Sequence, residues 1–472
     1  MDLNKTERPP FFIDNIEITD IDQEGRGVGR FNEIVVFVEK ALPGDIATVR
    51  VFKKKSKYWE GSLSTLTIPS PLRQAPICKH FGICGGCQWQ HFQYESQKEY
   101  KAKSVLNALG RIGGLTLPEL KPILGSSRNF YYRNKLNFSF SNRKWLKKEE
   151  KDAGVDPFSP ALGFHISKIF DKVYGIEKCY LMPDIHNAIR RTIFEVAVNE
   201  NIPFYDLKAH TGYLRTLVIR QSANSGEIML NLIVAYSNAD WINLLFENVR
   251  NKFPQITSFI YYINQKLNDS YTDLPYSVWG DSNDYLLEKL GKYYFKIGPN
   301  SFFQTNTYQA INLYQIIYNL IGSKVSLIYD LYCGTGSIGI FISDLAEKII
   351  GIEYVPEAIE DAKQNCALNN LTHFDFYAGD MKKILNKNLL HEYGIPDLII
   401  TDPPRAGMDA KVVEQLLEIK AAKVIYVSCN PATQARDISL MQDLYQVTYV
   451  QPVDMFPQTT HVENIVLLER KF

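Results

Sequence analysis

The last third of the chain repeats one unit. Apolar runs at 327–332, 348–352, 397–401 and 423–427 alternate with helical patterns at 337–346, 356–369, 409–421 and 431–443. Each run has the length of a buried strand, and each pattern spaces its apolar residues along one side of a helix. Strands separated by helices do not pair as hairpins; they pair in parallel, with the helices covering the sheet. Two further strand-like runs, 445–453 and 462–469, close it. This alternation confines the C-terminal third to a layered α/β domain.

The turn from the first strand into the first helix reads Asp330-Leu331-Tyr332-Cys333-Gly334-Thr335-Gly336-Ser337. Glycines at such a turn let the backbone pass close to a ligand. Glu353 ends the next strand, where a carboxylate accepts hydrogen bonds from ribose hydroxyls. An acid ahead of the glycines repels pyrophosphate but suits a zwitterionic or sulfonium ligand. The loop resembles the first motif of class I S-adenosylmethionine-dependent methyltransferases, with Tyr332 and Ser337 lining it. Asp380, in Ala378-Gly379-Asp380, resembles the acid that contacts adenine in that fold, and a helix cap is the alternative reading. Asp402-Pro403-Pro404-Arg405 ends the fourth strand, at the corner which in that fold faces the transferred methyl group. The prolines stiffen it and leave Asp402 and Arg405 as polar groups at its edge.

Ser428-Cys429-Asn430-Pro431 follows the strand Val424-Ile425-Tyr426-Val427 directly. A thiol that ends a strand and opens a helix is placed to be ionised by the helix dipole and backbone donors. Alone, it reads equally well as a packing residue. The longer string Ser428-Cys429-Asn430-Pro431-Ala432-Thr433-Gln434-Ala435-Arg436-Asp437 resembles a signature of the RNA uracil-C5 methyltransferases. Thr460-His461-Val462-Glu463-Asn464-Ile465-Val466-Leu467-Leu468 resembles that family's second signature, and Phe302-Phe303-Gln304-Thr305-Asn306 a third. The resemblance implies Cys429 as a nucleophile toward carbon 6 of uracil and Glu463 as the base that removes the carbon 5 proton. It offers Gln304 and Asp402 as partners of the uracil edge or the cofactor.

The N-terminal half divides differently. Strand-like runs at 34–38 and 46–51, split by Pro43-Gly44-Asp45 and preceded by Glu24-Gly25-Arg26-Gly27-Val28-Gly29-Arg30, predict a small all-β barrel. It resembles a TRAM domain, an OB-like RNA-binding barrel, with Arg26, Arg30, Lys53, Lys54, Lys55, Lys57, Tyr58 and Trp59 as cations and aromatics for RNA. Cys78, Cys84 and Cys87 then put three thiols in a glycine-rich segment. Thiolates of this kind hold zinc or an iron–sulfur cluster, usually with four ligands. Cys333 and Cys366 lie in the cofactor-binding domain and Cys429 is needed for catalysis, which leaves Cys179 as the fourth. The pattern resembles the [4Fe–4S] site of many of these methyltransferases, with structural zinc as the alternative.

The expected organisation is a multidomain α/β protein. It has a tail at 1–10, a TRAM barrel at 11–70, a cysteine segment at 71–94, a central α+β region at 95–295 and a Rossmann-like methyltransferase domain at 296–472. The chain holds 52 Lys+Arg and 52 Asp+Glu, so no global positive field holds a nucleic acid. Residues 1–75 are as balanced, with 11 basic and 11 acidic side chains. Any RNA grip must be local. Nothing reads as a signal peptide or a membrane span, and the expected setting is the cytoplasm, with no obligate protein partner implied. The expected activity is S-adenosylmethionine-dependent methylation of uracil C5 in RNA. The barrel and cysteine segment resemble the 23S rRNA enzymes, with the tRNA T-loop as the alternative target. A small-molecule methyltransferase or a non-catalytic RNA-binding protein would have no need of the Cys429 and Glu463 pair.

Overall fold

The computed structural model describes residues 11–166 and 169–471; the tail at 1–10 lies outside the described residues. Two compact units divide the chain. One runs to Ser104 and includes Phe456–Thr460; the other comprises Val105–Met455 and His461 onward.

In the first unit, strands Phe11–Ile21, Gly27–Phe31, Ile34–Glu39, Ile46–Lys54 and Tyr58–Ile68 close into a barrel, in the order first, second, third, fifth, fourth. Alternation along the strands turns Ile13, Ile16, Ile18, Val36, Val38 and Val49 inward. The glycine-spaced segment serves this closure. A Cβ on Gly29 would stand 2.8 Å from the Glu17 carbonyl oxygen, and one on Gly27 2.8 Å from Ile18 Cγ2. The buried Asp45 carboxylate anchors the turn before the fourth strand. It accepts from the N–H groups of Leu42 (2.6 Å) and Ser70 (2.9 Å), and Arg73 donates to both of its oxygens.

The expected RNA cations of the barrel are not equivalent. Arg26 is paired with Asp22 at 2.6 Å, and Lys53 with Glu60 at 2.8 Å. Lys54 sits over the rings of Phe11 (3.3 Å) and Trp59 (4.3 Å), leaving its charge on an aromatic face.

The second unit holds a mixed seven-stranded sheet ordered Tyr276–Val278, Ile256–Ile263, Ile228–Val234, Leu214–Gln221, Lys135–Ser141, Ala161–Ile166 and Ile169–Gly175. Helices Asp184–Asn199 and Ala239–Lys252 belong to the same region.

The C-terminal sheet of the same unit uses strands β1 (Val325–Leu331), β2 (Ala346–Glu353), β3 (Phe374–Ala378), β4 (Leu398–Thr401), β5 (Lys423–Ser428), β6 (Tyr445–Val453) and β7 (Glu463–Arg470). Their order is β3-β2-β1-β4-β5-β7-β6; the first five are parallel and β7 is antiparallel to both neighbours. Every strand of the predicted alternation is present. The helix predicted at 337–346 is shorter, Ser337–Phe341 followed by a tight turn at Ser343–Leu345. Ala346 must already be extended there, because it pairs with Val325. Strand order reverses between β1 and β4, which opens a crevice at the carboxyl ends of the strands. No helix among the described residues is long and apolar enough to cross a membrane.

Candidate active site

The glycine loop follows β1 at that crevice. Gly334 and Gly336 have positive φ, as does Tyr332 at +60°. Asp330, at the end of β1, is buried and accepts the Gly339 N–H at 3.1 Å. Burial pushes its carboxyl up to about 7, with the Asp402 and Glu353 charges adding to the effect. Glu353, at the end of β2, accepts from Gly334 N–H (3.1 Å) and Val355 N–H (3.0 Å), so it braces the loop as well as facing it. Tyr332 is part-buried, and burial raises its hydroxyl to about 12. Asp380 takes the alternative role too: its side chain caps a short helix by accepting the Lys382 N–H at 3.1 Å.

One residue here had no signal of its own in the sequence. Tyr314 lies on the fully buried side of helix Thr307–Ile321, and its hydroxyl meets Ser337 Oγ at 2.9 Å. Its proton is held by burial and by the charges of Asp402, Asp330 and Glu463, which places all three around it. A buried tyrosine in an amphipathic helix reads as core until the helix is placed.

The segment holding Gln304 is fixed from three sides. Asn134 Nδ2 donates to the Gln304 carbonyl (3.0 Å), Arg220 to the carbonyls of Gly298 (3.1 Å) and Ser301 (2.8 Å), and Asn306 Nδ2 to that of Met455 (3.0 Å). Gln304 is buried, while Phe302 is 72% exposed.

Cys429 and Glu463 meet through sheet register. The β5–β7 ladder sets Ser428 opposite Asn464, so the next antiparallel positions are Cys429 and Glu463. Gln434 and Asn464, both fully buried, lock that pairing. Asn464 Nδ2 donates to Gln434 Oε1 (2.7 Å), and Gln434 Nε2 to the carbonyls of Tyr426 (2.9 Å) and Asn464 (3.2 Å). Both residues stand inside the signature strings, but spacing could not give them this task.

Burial pushes the half-buried Cys429 thiol up to about 11, the Glu463 and Asp402 charges push the same way, and only Arg405 opposes. Glu463 is held protonated well above the usual carboxylate range by burial and by Asp402, with Arg405 again opposing. Asp402 is raised by the same burial.

Cys78, Cys84 and Cys87 lie in turns of the first unit, and Cys179 lies in the second, its backbone held by Asn187 at 2.8 and 3.1 Å. Among the described residues no three His, Cys, Asp or Glu side chains are grouped so as to hold a metal ion.

Comparison with known proteins agrees with the chemistry of the crevice. The model of the tRNA (Uracil-5-)-methyltransferase family matches residues 282–471, and that of the TRAM domain residues 14–64. An uncharacterized RNA methyltransferase of Bacteroides thetaiotaomicron is 46% identical over 452 residues, 94% of this chain and 99% of that protein. One from Porphyromonas gingivalis is 45% identical over 464 residues, 96% of this chain and 99% of that protein. The chain belongs to the RNA (uracil-5-)-methyltransferase family. It is an S-adenosylmethionine-dependent RNA methyltransferase with an N-terminal TRAM barrel. The crystal structure of the Pyrococcus abyssi tRNA (uracil-54, C5)-methyltransferase with S-adenosyl-L-homocysteine superimposes with a TM-score of 0.75 and 27% identity, covering 96% of this chain and 99% of that one. The methyltransferase's own residues fit a cationic cofactor. Asp330, Asp402 and Glu463 are acids of this crevice, and Arg405 is the cation set against Glu463. A sulfonium ligand relieves the imbalance.

Proposed function

We propose that this enzyme methylates carbon 5 of a uracil in RNA through a covalent bond between Cys429 Sγ and carbon 6, with Glu463 removing the carbon 5 proton. The observation that carries this reading is the β5–β7 register, which makes Cys429 and Glu463 neighbours. Tyr332, Ser337, Glu353 and Asp380 would hold S-adenosylmethionine, and Gln304 and Asp402 either the cofactor or the uracil edge. The cofactor supplies an electrophilic methyl group.

Carbon 5 of uracil is a poor nucleophile. The Cys429 sulfur gives its electron pair to carbon 6, and the ring double bond shifts its electrons toward the carbon 4 carbonyl, forming an enolate. The enolate returns those electrons through carbon 5, which takes up the methyl group. Glu463 then accepts the carbon 5 proton; the C–H electrons re-form the double bond, and the sulfur leaves with its own pair. Glu463 must first lose the proton that burial preserves, and a bound cation favours that loss. The base must leave its stack to reach a half-buried thiol, which suits a flipped uridine in a loop.

For the target, the barrel and the cysteine segment favour 23S rRNA. The likeness to the Pyrococcus abyssi tRNA enzyme supports the T-loop uridine as a second reading. A [4Fe–4S] cluster on Cys78, Cys84, Cys87 and Cys179, with zinc as the alternative, would be structural and would take no part in these steps.

5-Fluorouracil-substituted fragments of both RNAs, incubated with cofactor, test the proposal, since fluorine is not removed as a proton. A denaturation-stable adduct is expected and should vanish in Cys429→Ala. With unsubstituted RNA, Glu463→Gln should accumulate the methylated adduct. A Cys429→Ala enzyme that still methylates would sink the mechanism. The RNA that yields adduct identifies the target.

A further inference from the structure

Helix Tyr94–Asn107 of the first unit buries a polar side. Its buried residues are Ser96, Gln97, Lys101 and Val105, and of these Val105 alone is apolar. Glutamine and lysine stay buried only where partners replace water. Gln97 and Lys101 stand one turn apart on one face of the helix, and both reach the segment Phe456–Thr460 of the same unit. Gln97 and Gln458 bond reciprocally. Gln97 Nε2 donates to Gln458 Oε1 (3.1 Å), and Gln458 N–H donates to Gln97 Oε1 (3.0 Å). Gln97 Nε2 is also within reach of the carbonyls of Trp89 (3.0 Å) and Phe92 (2.8 Å). The Gln458 carbonyl accepts from the N–H groups of Gln88 and Trp89, both at 3.0 Å. Lys101 Nζ donates to the Phe456 carbonyl at 3.1 Å.

This many bonds converge on a strained residue. Gln458 has a φ of +67°, a conformation that costs a non-glycine residue and persists only where its surroundings over-determine it. The barrel's glycine segment closes on the same turn: a Cβ on Gly25 would stand 2.5 Å from Thr460 Cγ2. The chain enters this turn from Met455, whose carbonyl Asn306 holds, and leaves it at His461. Glu463 is three residues past Thr460, at most about 11 Å of chain. It is also the first residue of β7. The β7 ladders begin at Glu463 opposite Val453 and at Asn464 opposite Ser428. The sheet therefore holds Glu463 from its downstream side, and the turn at 456–460 holds the chain on its upstream side. Strand ends open readily unless something fixes them.

We propose that Gln97 is a positioning residue: by holding Gln458 in its left-handed turn, it fixes the chain that ends at Glu463 and so sets where that carboxylate stands when it takes the carbon 5 proton. The role in proton removal rests on the mechanism proposed above. A general base works only within hydrogen-bond reach of its proton, and a displacement of about 1 Å slows such a step about 10²-fold.

Two measurements on the full-length enzyme test this. The first is hydrogen–deuterium exchange without RNA, read on peptides covering 456–464. Gln97→Met keeps the side-chain length and loses the bonds. It is expected to speed exchange there about tenfold, with peptides of β1 unchanged. The second separates the chemical steps. Adduct formation on 5-fluorouracil RNA requires Cys429 but no proton removal, and should stay within about twofold of wild type. On unsubstituted RNA the methylated adduct should accumulate, with kcat lower by about tenfold or more and KM little changed. Lys101→Met removes the bond to Phe456 and leaves the Gln97–Gln458 pair. It should show the same split at smaller size, and it carries the test if Gln97→Met does not fold. Equal slowing of both reactions overturns the proposal, because it marks a general loss of structure. Faster exchange with unchanged turnover overturns it too. If the wild type forms no adduct, the uracil mechanism fails; faster exchange at 456–464 then still supports the hold on the turn, and unchanged exchange overturns that as well.

Discussion

Asp330 illustrates how burial, and not sequence position, sets the state of an acid in this crevice. It stands at about 7 in the fold against 3.8 for a free aspartate, because burial disfavours its charge. A group raised on folding contributes stability that is complete below its unfolded value and is lost as pH rises through its folded value. Wild-type stability should therefore decline between about pH 4 and pH 8 in part through Asp330. Asp330→Asn, which can still accept the Gly339 N–H, escapes that decline. Its melting temperature relative to wild type should climb over this range, and a pH-independent difference would refute the assignment. Cys429 follows the same physics: burial pushes its thiol up to about 11, against the opposing charge of Arg405.

At the scale of elements, the loop between β4 and helix Ala410–Ile419 carries the site more than either neighbour does. Gly407 makes the loop possible. Its φ is +79°, and an added Cβ would meet Asp437 Oδ2 at 2.6 Å and Arg436 Nη2 at 2.7 Å. Gly407→Ala should therefore strain the backbone and displace the carboxylate, costing about 1–3 kcal/mol. Urea unfolding should show that loss, and adduct formation should slow because Asp402 rides on this loop. Unfolding at the wild-type midpoint with unchanged adduct kinetics would show that this packing is dispensable. The β5–β7 ladder is the other decisive element: a slip of one residue would turn Glu463 to the opposite face of the sheet from Cys429.

On the scale of the whole molecule, the two units answer different questions. The second contains every residue proposed for chemistry, from Gln304 to Glu463. The first contains a closed barrel in which Arg26 and Lys53 are ion-paired, so its contribution to RNA is local: Lys54 with Phe11 and Trp59, and the exposed turn at Lys55–Lys57. Its three cysteines keep a cluster, or zinc, as a proposal that no grouping among the described residues shows. Anaerobic purification decides between them. A cluster predicts about four iron and four sulfide per chain with broad visible absorption. Colourless protein with stoichiometric zinc, or with no metal, would remove the cluster.

Much of this was legible without coordinates. Alternating apolar runs force a parallel α/β sheet because strand and helix periodicities cannot be exchanged, and the strands lie where those runs do. Cys429 and Glu463 could be named from their strings, since the chemistry demands a thiol and a base. Their adjacency could not, because it depends on the pairing of β5 with β7 and on the bond between Gln434, on the helix after β5, and Asn464. Nor could the charge state of Cys429. The sequence places a helix start beside the thiol, but only the packed fold sets two carboxyl groups and one guanidinium around it. Tyr314 and the bond from Met408 to Asp437 were hidden for the same reason: both act through contacts between segments far apart in the chain. The sequence alone specified which elements form and which groups are present. Tertiary structure decided which groups face each other, and in a desolvated crevice that proximity sets protonation.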